Sequence, residues 1–160
     1  LKYRIISVGK IREKFYALGI GEYLKRLGPY TAIELVDGLE EKISPRAGLK
    51  DIERVLNKEG ERILALIGDN ELMVVLDGHG TLFSSEELSH LIADWSMSSG
   101  IGRVNLIIGG SHGLADMVKI KADRLISFSK MTFPHQMAVL ILTEQIYRGF
   151  KILKGEPYHH

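Results

Sequence analysis

The chain of 160 residues contains no cysteine. That excludes a disulfide framework, a thiolate metal centre and a cysteine nucleophile, and it fits a reducing compartment. The longest apolar run falls far short of a membrane span. The start, Leu1 to Gly9, is a strand-like stretch with charges inside it, so no signal peptide is expected there. Repeats and low-complexity segments are absent. Charge of either sign is not in excess: Lys and Arg number 21 and Asp and Glu 20, for a net charge of +1. Such a balance argues against a protein that grips nucleic acid over its whole surface. No G-x-x-x-x-G-K-S/T loop or G-x-G-x-x-G fingerprint occurs. The six histidines show none of the usual helical zinc spacings, so no metal site is expected.

What is present is an alternation of short apolar runs with longer amphipathic ones. Strands are expected at Tyr3 to Val8, Ala32 to Val36, Leu72 to Leu76, Arg103 to Ile108 and Leu125 to Ser129. Between them, helices are expected at Ile11 to Leu27, Leu49 to Ile67, from Ser84 to about Met97, and at Leu114 to Lys121, with a long last one after Pro134. Ser84 and Glu87 have the spacing of a capping box. Gly38 to Gly48 is a polar loop and the expected mobile segment. This alternation predicts one α/β domain, 1–160, with a mainly parallel sheet covered by helices on both faces. Ligands of such sheets sit at the carboxyl ends of strands. Here those ends, near Leu76, Gly109 and Ser129, lead into loops rich in Gly, His, Ser and Lys.

The last third, Arg124 to His160, gathers most of the chemistry. Residues 119–160 hold seven cations (Lys119, Lys121, Arg124, Lys130, Arg148, Lys151, Lys154) against three acids (Asp123, Glu144, Glu156), and the remaining residues hold fourteen against seventeen. That gradient suits a polyanionic partner docked at this end, although helix-end lysines also complement a dipole. The helix after Pro134 is apolar around most of its girth at its start, which predicts a second covering surface, most simply another subunit. Glu144 and Arg148 share one face of it, as an ion pair or as part of a site. Pro157-Tyr158-His159-His160 is either a frayed terminus or a group for stacking on a base; it is expected to be unordered in the free chain. Gly109 to Gly113 reads alone as a tight strand-to-helix turn. Ser84, Ser111 and Ser129 read as capping and turn residues.

Taken in order, Ile108-Gly109-Gly110, then Leu125 to Gln136, then Glu144-Gln145-Ile146-Tyr147-Arg148 and the Pro-Tyr-His ending closely resemble the ribosomal RNA large subunit methyltransferase H family. Val8-Gly9-Lys10, and the stretch from Glu22-Tyr23 to Gly28-Pro29-Tyr30, extend the resemblance over essentially the whole chain. It implies a SPOUT-class α/β-knot methyltransferase whose carboxyl-terminal segment is threaded into a trefoil knot. It further implies a cytoplasmic homodimer that uses S-adenosylmethionine to methylate N3 of a pseudouridine in helix 69 of 23S rRNA, within the assembled ribosome. Carried over by position, the cofactor contacts fall on Leu76, Gly109, Phe128, Ser129, Lys130, Met131, Thr132 and Phe133. Two departures remove a cation: Val139 and His160 stand where some members carry Arg, and Lys or Arg, with Lys130, Lys151 or Lys154 as replacements.

Methylation at N3 requires loss of a weakly acidic proton, so a base or a polarising cation is expected. His135 or His159 is assigned the proton, Arg148 the charge developing on the uracil carbonyls, Tyr158 the orientation of the base, and Glu144 the orientation of Arg148. Two rivals remain open. One is a non-catalytic ribosome-binding or assembly module of the same fold; the other is a nucleotide-binding α/β enzyme, which lacks its usual motifs here.

Overall fold

The computed structural model describes residues 1–160. Five strands, β1 (Lys2–Ser7), β2 (Ala32–Val36), β3 (Glu71–Leu82), β4 (Arg103–Ile108) and β5 (Arg124–Ser127), alternate with five helices, α1 (Lys14–Leu27), α2 (Leu49–Leu64), α3 (Ser85–Met97), α4 (Asp116–Lys121) and α5 (His135–Leu153). All pairings are parallel and the strand order is β2-β1-β4-β3-β5. The sheet is buried on both faces. Tyr3, Ile5, Val74, Val104, Leu106 and Ile126 pack with residues of α1, α3 and α5 on one side. Ile6, Val8, Met73, Val75 and Ile107 pack with α2 and α4 on the other. Continuous burial explains why the central strands read as unbroken apolar runs rather than alternating ones. No helix is long and apolar enough to cross a membrane.

The capping box forms as expected: Ser84 Oγ accepts from the Glu87 N–H at 3.1 Å, and the Glu87 carboxylate accepts from the Ser84 N–H at 2.7 Å. Other boundaries move. Helix α1 begins three residues later than the apolar pattern suggests, because the N–H groups of Arg12 and Glu13 both donate to the Gln136 side chain, at 2.9 and 3.0 Å. Strand β3 does not stop at Leu76. Leu76 and Thr81 both stand opposite Ile126, so Asp77-Gly78-His79-Gly80 forms a bulge inside a longer strand. Gly80 is required there: a Cβ on it would lie 2.7 Å from the Ile126 backbone. The two strands therefore cross closer than any side chain permits.

Helix α5 carries the other revision. Its apolar girth is covered largely from within the chain, by α1 on one side, α3 on the other and the sheet beneath. Val139, Leu142 and Ile146 are buried, while Met137, Ile141, Glu144 and Arg148 stay half-exposed. These helices cover most of the girth, and this outer strip is left for a partner. At its end the N–H of Gly155, at φ +63°, bonds the Ile152 carbonyl, and that of Glu156 bonds the Lys151 carbonyl. That is a Schellman turn, closed by the residue type that tolerates its left-handed position. It sends Pro157 to His160 back along the helix.

Candidate active site

Beyond the carboxyl ends of β3 and β5 lies a cleft in two lobes. The first, of about 190 Å³, is lined by Leu76, Asp77, Gly78, the run from Ile126 to Phe133, and Ala138. The second, of about 350 Å³, shares Ile126 to Ser129 and Phe133 and is closed by Phe83, Ser84, Ser85, Leu88, Ile141 and Gln145. The loop between β5 and α5 contains no glycine, yet it is held: Ser127 Oγ donates to the Ser129 carbonyl at 2.8 Å, and Ser129 Oγ accepts the Met131 N–H at 3.0 Å. The N–H groups of Lys130, Thr132 and Phe133 donate to nothing in the chain. An apolar slot edged by free backbone donors suits a flat heteroaromatic ring. Of the residues expected to contact a cofactor, Leu76 and Phe128 to Phe133 line this cleft. Gly109 stands outside the lining, one residue past Ile108, which is the register partner of Leu76.

Asp77, at the mouth, accepts from the His79 N–H at 2.8 Å and pairs with Lys119 at 2.9 Å. Partial burial opposes its ionisation, but these contacts outweigh burial and hold its carboxyl below the usual range.

At the far end of α5 the tail residues are ordered against the helix, contrary to the expected fraying. Arg148 donates to Glu144 Oε1 at 2.5 Å, and the Tyr158 hydroxyl donates to the same oxygen at 3.0 Å. The other Arg148 nitrogen lies 3.1 Å from His159 Nδ1, and His159 Nε2 lies 2.7 Å from the Glu86 carboxylate at the start of α3. The Tyr158 ring meets Tyr147 edge-on at 4.8 Å, with the Arg148 guanidinium 4.8 Å from its centre. The bond to Glu144 raises the Arg148 pKa. Burial, together with bonds to Tyr23 and Glu144, pushes the Tyr158 hydroxyl up, so it stays protonated and donates. Below the cluster, Glu156 is clamped at 2.6 Å by both the Tyr30 hydroxyl and Lys151.

The structure thus joins three of the four expected catalytic residues, Arg148, Tyr158 and His159, with Glu144, and sets His135 apart. His135 starts α5, thirteen residues before Arg148, which is roughly 20 Å of helix. Its ring lies on Gly9, where a Cβ would sit 2.4 Å from Nε2, and that nitrogen is 3.3 Å from the Lys10 carbonyl. It faces a separate polar cleft, between the ends of β1 and β4, with Ser111, His112 and Glu59. Glu86 carries no distinguishing signal in the sequence, where Glu87 alone accounts for the cap. Val139 is fully buried and offers no surface contact. Of the seven cations gathered towards the end of the chain, Lys119, Arg148 and Lys151 are paired with acids. Lys121, Arg124, Lys130 and Lys154 are exposed and unpaired.

The family described as "Predicted SPOUT methyltransferase" matches residues 1–159. The chain is 61% identical over 159 residues to the ribosomal RNA large subunit methyltransferase H of Syntrophomonas wolfei, covering 99% of each. It is 45% identical to the protein of that name from Enterococcus faecalis, again over 99% of each. Among solved structures, a probable methylase family protein from Haemophilus influenzae Rd KW20 shares the fold, with a TM-score of 0.55 at 14% identity over 99% of this chain and 70% of that one. A two-lobed cleft on a bulged, all-parallel sheet and these full-length likenesses lead to one conclusion: the chain belongs to the SPOUT methyltransferase family.

Proposed function

We propose that this protein transfers a methyl group from S-adenosylmethionine to N3 of a pseudouridine in helix 69 of 23S rRNA, acting in the cytoplasm as a homodimer on the assembled ribosome. The observation that carries the reading is the pairing of a cleft suited to an adenosine with a tail cluster suited to a uracil. The residues present fit the cofactor: Leu76, Phe128, Phe133 and Ala138 supply apolar walls, and the backbone from Lys130 to Phe133 supplies donors for the adenine edge. When bound, the cofactor brings an already activated methyl on a sulfonium, so the chain's own groups need only position the acceptor and remove its proton.

In this reading His159 takes the N3 proton, Arg148 stabilises the charge that develops on the uracil carbonyls, and Tyr158, fixed through Glu144, orients the base. His135, placed in the other cleft, joins this chemistry only if a second subunit brings it there. Exposed Phe15, Leu18 and Met131, with the half-buried Met137 and Ile141, support a partner copy. The unpaired Lys121, Arg124, Lys130 and Lys154 support contact with RNA phosphates, which position without specifying. The threaded carboxyl terminus is part of the proposal; the close crossing at Gly80 supports it.

The test is transfer of labelled methyl to ribosomes from cells lacking this gene, with free 23S rRNA and small-subunit particles in parallel. Label only on intact ribosomes, mapping to a helix 69 pseudouridine, is the expected result. Label on another RNA, or none with cofactor binding intact, overturns the substrate assignment.

A further inference from the structure

Resting on the reading that His159 takes the N3 proton, we infer that Glu86 is the positioning residue that makes His159 a base: it fixes the ring tautomer and leaves Nδ1 as the basic nitrogen beside Arg148. An arginine side chain has donors and no acceptor. The 3.1 Å contact between Arg148 and Nδ1 therefore places a lone pair, not a proton, on Nδ1. The proton of the neutral imidazole sits on Nε2 and is donated to Glu86 at 2.7 Å. Both ring nitrogens are thus assigned by geometry, with a carboxylate behind the imidazole as in other acid-base dyads.

Glu86 is free for this role. The capping box at the head of α3 uses Glu87, and Glu86 one residue before it spends its carboxylate on His159. Its position in the first turn of a thirteen-residue helix favours the ionised form. The bond from His159 further lowers its pKa. The charged and titratable groups around the imidazole are Glu86 from α3, Arg148 and Glu144 from α5, and Tyr158 in the tail, with Tyr23 of α1 behind Tyr158.

The resting arrangement is a closed one, since Arg148 occupies the lone pair that the reaction needs. As the uracil arrives, Arg148 turns from Nδ1 to a carbonyl oxygen while Glu144 keeps its other nitrogen. Nδ1 then accepts the N3 proton, and the bond to Glu86 balances the resulting imidazolium. The pair of electrons left on N3 would form the new bond to the methyl carbon as the carbon–sulfur bond of the cofactor breaks, that bond's electrons returning to sulfur so that the cofactor leaves as the neutral thioether.

The experiment is the kcat–pH profile of Glu86→Gln against the parent protein, with cofactor affinity and thermal midpoint measured on both. Gln retains an acceptor for Nε2–H but no charge, and the side chain is more than half exposed, so fold and cofactor binding stay unchanged. The imidazolium loses its counter-charge, so the acid limb moves to lower pH and the plateau kcat falls about tenfold, part of what a positioned base supplies. Glu86→Asp, too short to reach the ring unaided, gives an intermediate rate with the parent limb partly restored. An unmoved limb with kcat within twofold of the parent overturns the inference. His159→Ala separates this from the parent reading: turnover retained in that variant sinks the base assignment itself, whereas turnover lost there with Glu86→Gln unaffected removes only the role of Glu86.

Discussion

The two ends of α5 are built from similar residue types and do different things. At its start His135 is pressed on Gly9 and bonded to a backbone carbonyl, in a cleft edged by carboxylates. Towards its end Arg148 meets a histidine, a tyrosine and a glutamate arriving from the returning tail and from α3. At the first end the polar group is held by the loop that follows β1. At the second, every polar group holds another. Sharing a helix placed these residues on one element, but the tail decides which of them act together.

The comparison is broken most severely by Arg148→Ala, which removes the one group touching both Glu144 and His159. Turnover on ribosomes should fall by about 10²- to 10³-fold, with cofactor affinity unchanged by calorimetric titration. Next is Gly80→Ala, directed at the cleft rather than at the tail. Its Cβ must displace the Ile126 backbone, so stability should fall by about 1–3 kcal/mol in chemical denaturation, with weaker cofactor binding. Tyr30→Phe acts from a distance: losing one of the two bonds on Glu156 should speed hydrogen exchange at residues 156–159 and lower kcat a few-fold, leaving exchange around His135 unchanged.

The smallest effect is one of pH. The Lys151 and Tyr30 bonds depress the pKa of Glu156, so its contribution to tail order is complete above the ordinary carboxylate value of about 4.3 and is lost as pH falls through the depressed one. Limited proteolysis should find the tail protected at the ordinary carboxylate pKa and released only in stronger acid.

Much of this was legible in the sequence. The limits of β2 and β4, the capping box at Ser84, and the gathering of Leu76 with Phe128 to Phe133 follow from apolar periodicity, cap spacing and family likeness. Other features depend on partners distant in the chain. Asp77-Gly78-His79-Gly80 has the composition of a strand end, and only the backbone of Ile126 makes it a bulge. The order of the tail depends on a turn at Gly155 and on Tyr30, 126 residues before Glu156. The outward apolar character of α5 suggested a partner, but α1 and α3 fill most of that role. Glu86 carried no signal, since an exposed acid in a first helical turn is ordinary.

The most direct test compares the two histidines: His135→Ala and His159→Ala, each assayed for methyl transfer to ribosomes and for S-adenosylmethionine affinity. Both variants should bind cofactor as the parent does, with His159→Ala losing about 10²-fold or more in kcat and His135→Ala staying within about tenfold. The reverse order, with His135→Ala inactive and His159→Ala near the parent rate, would contradict it.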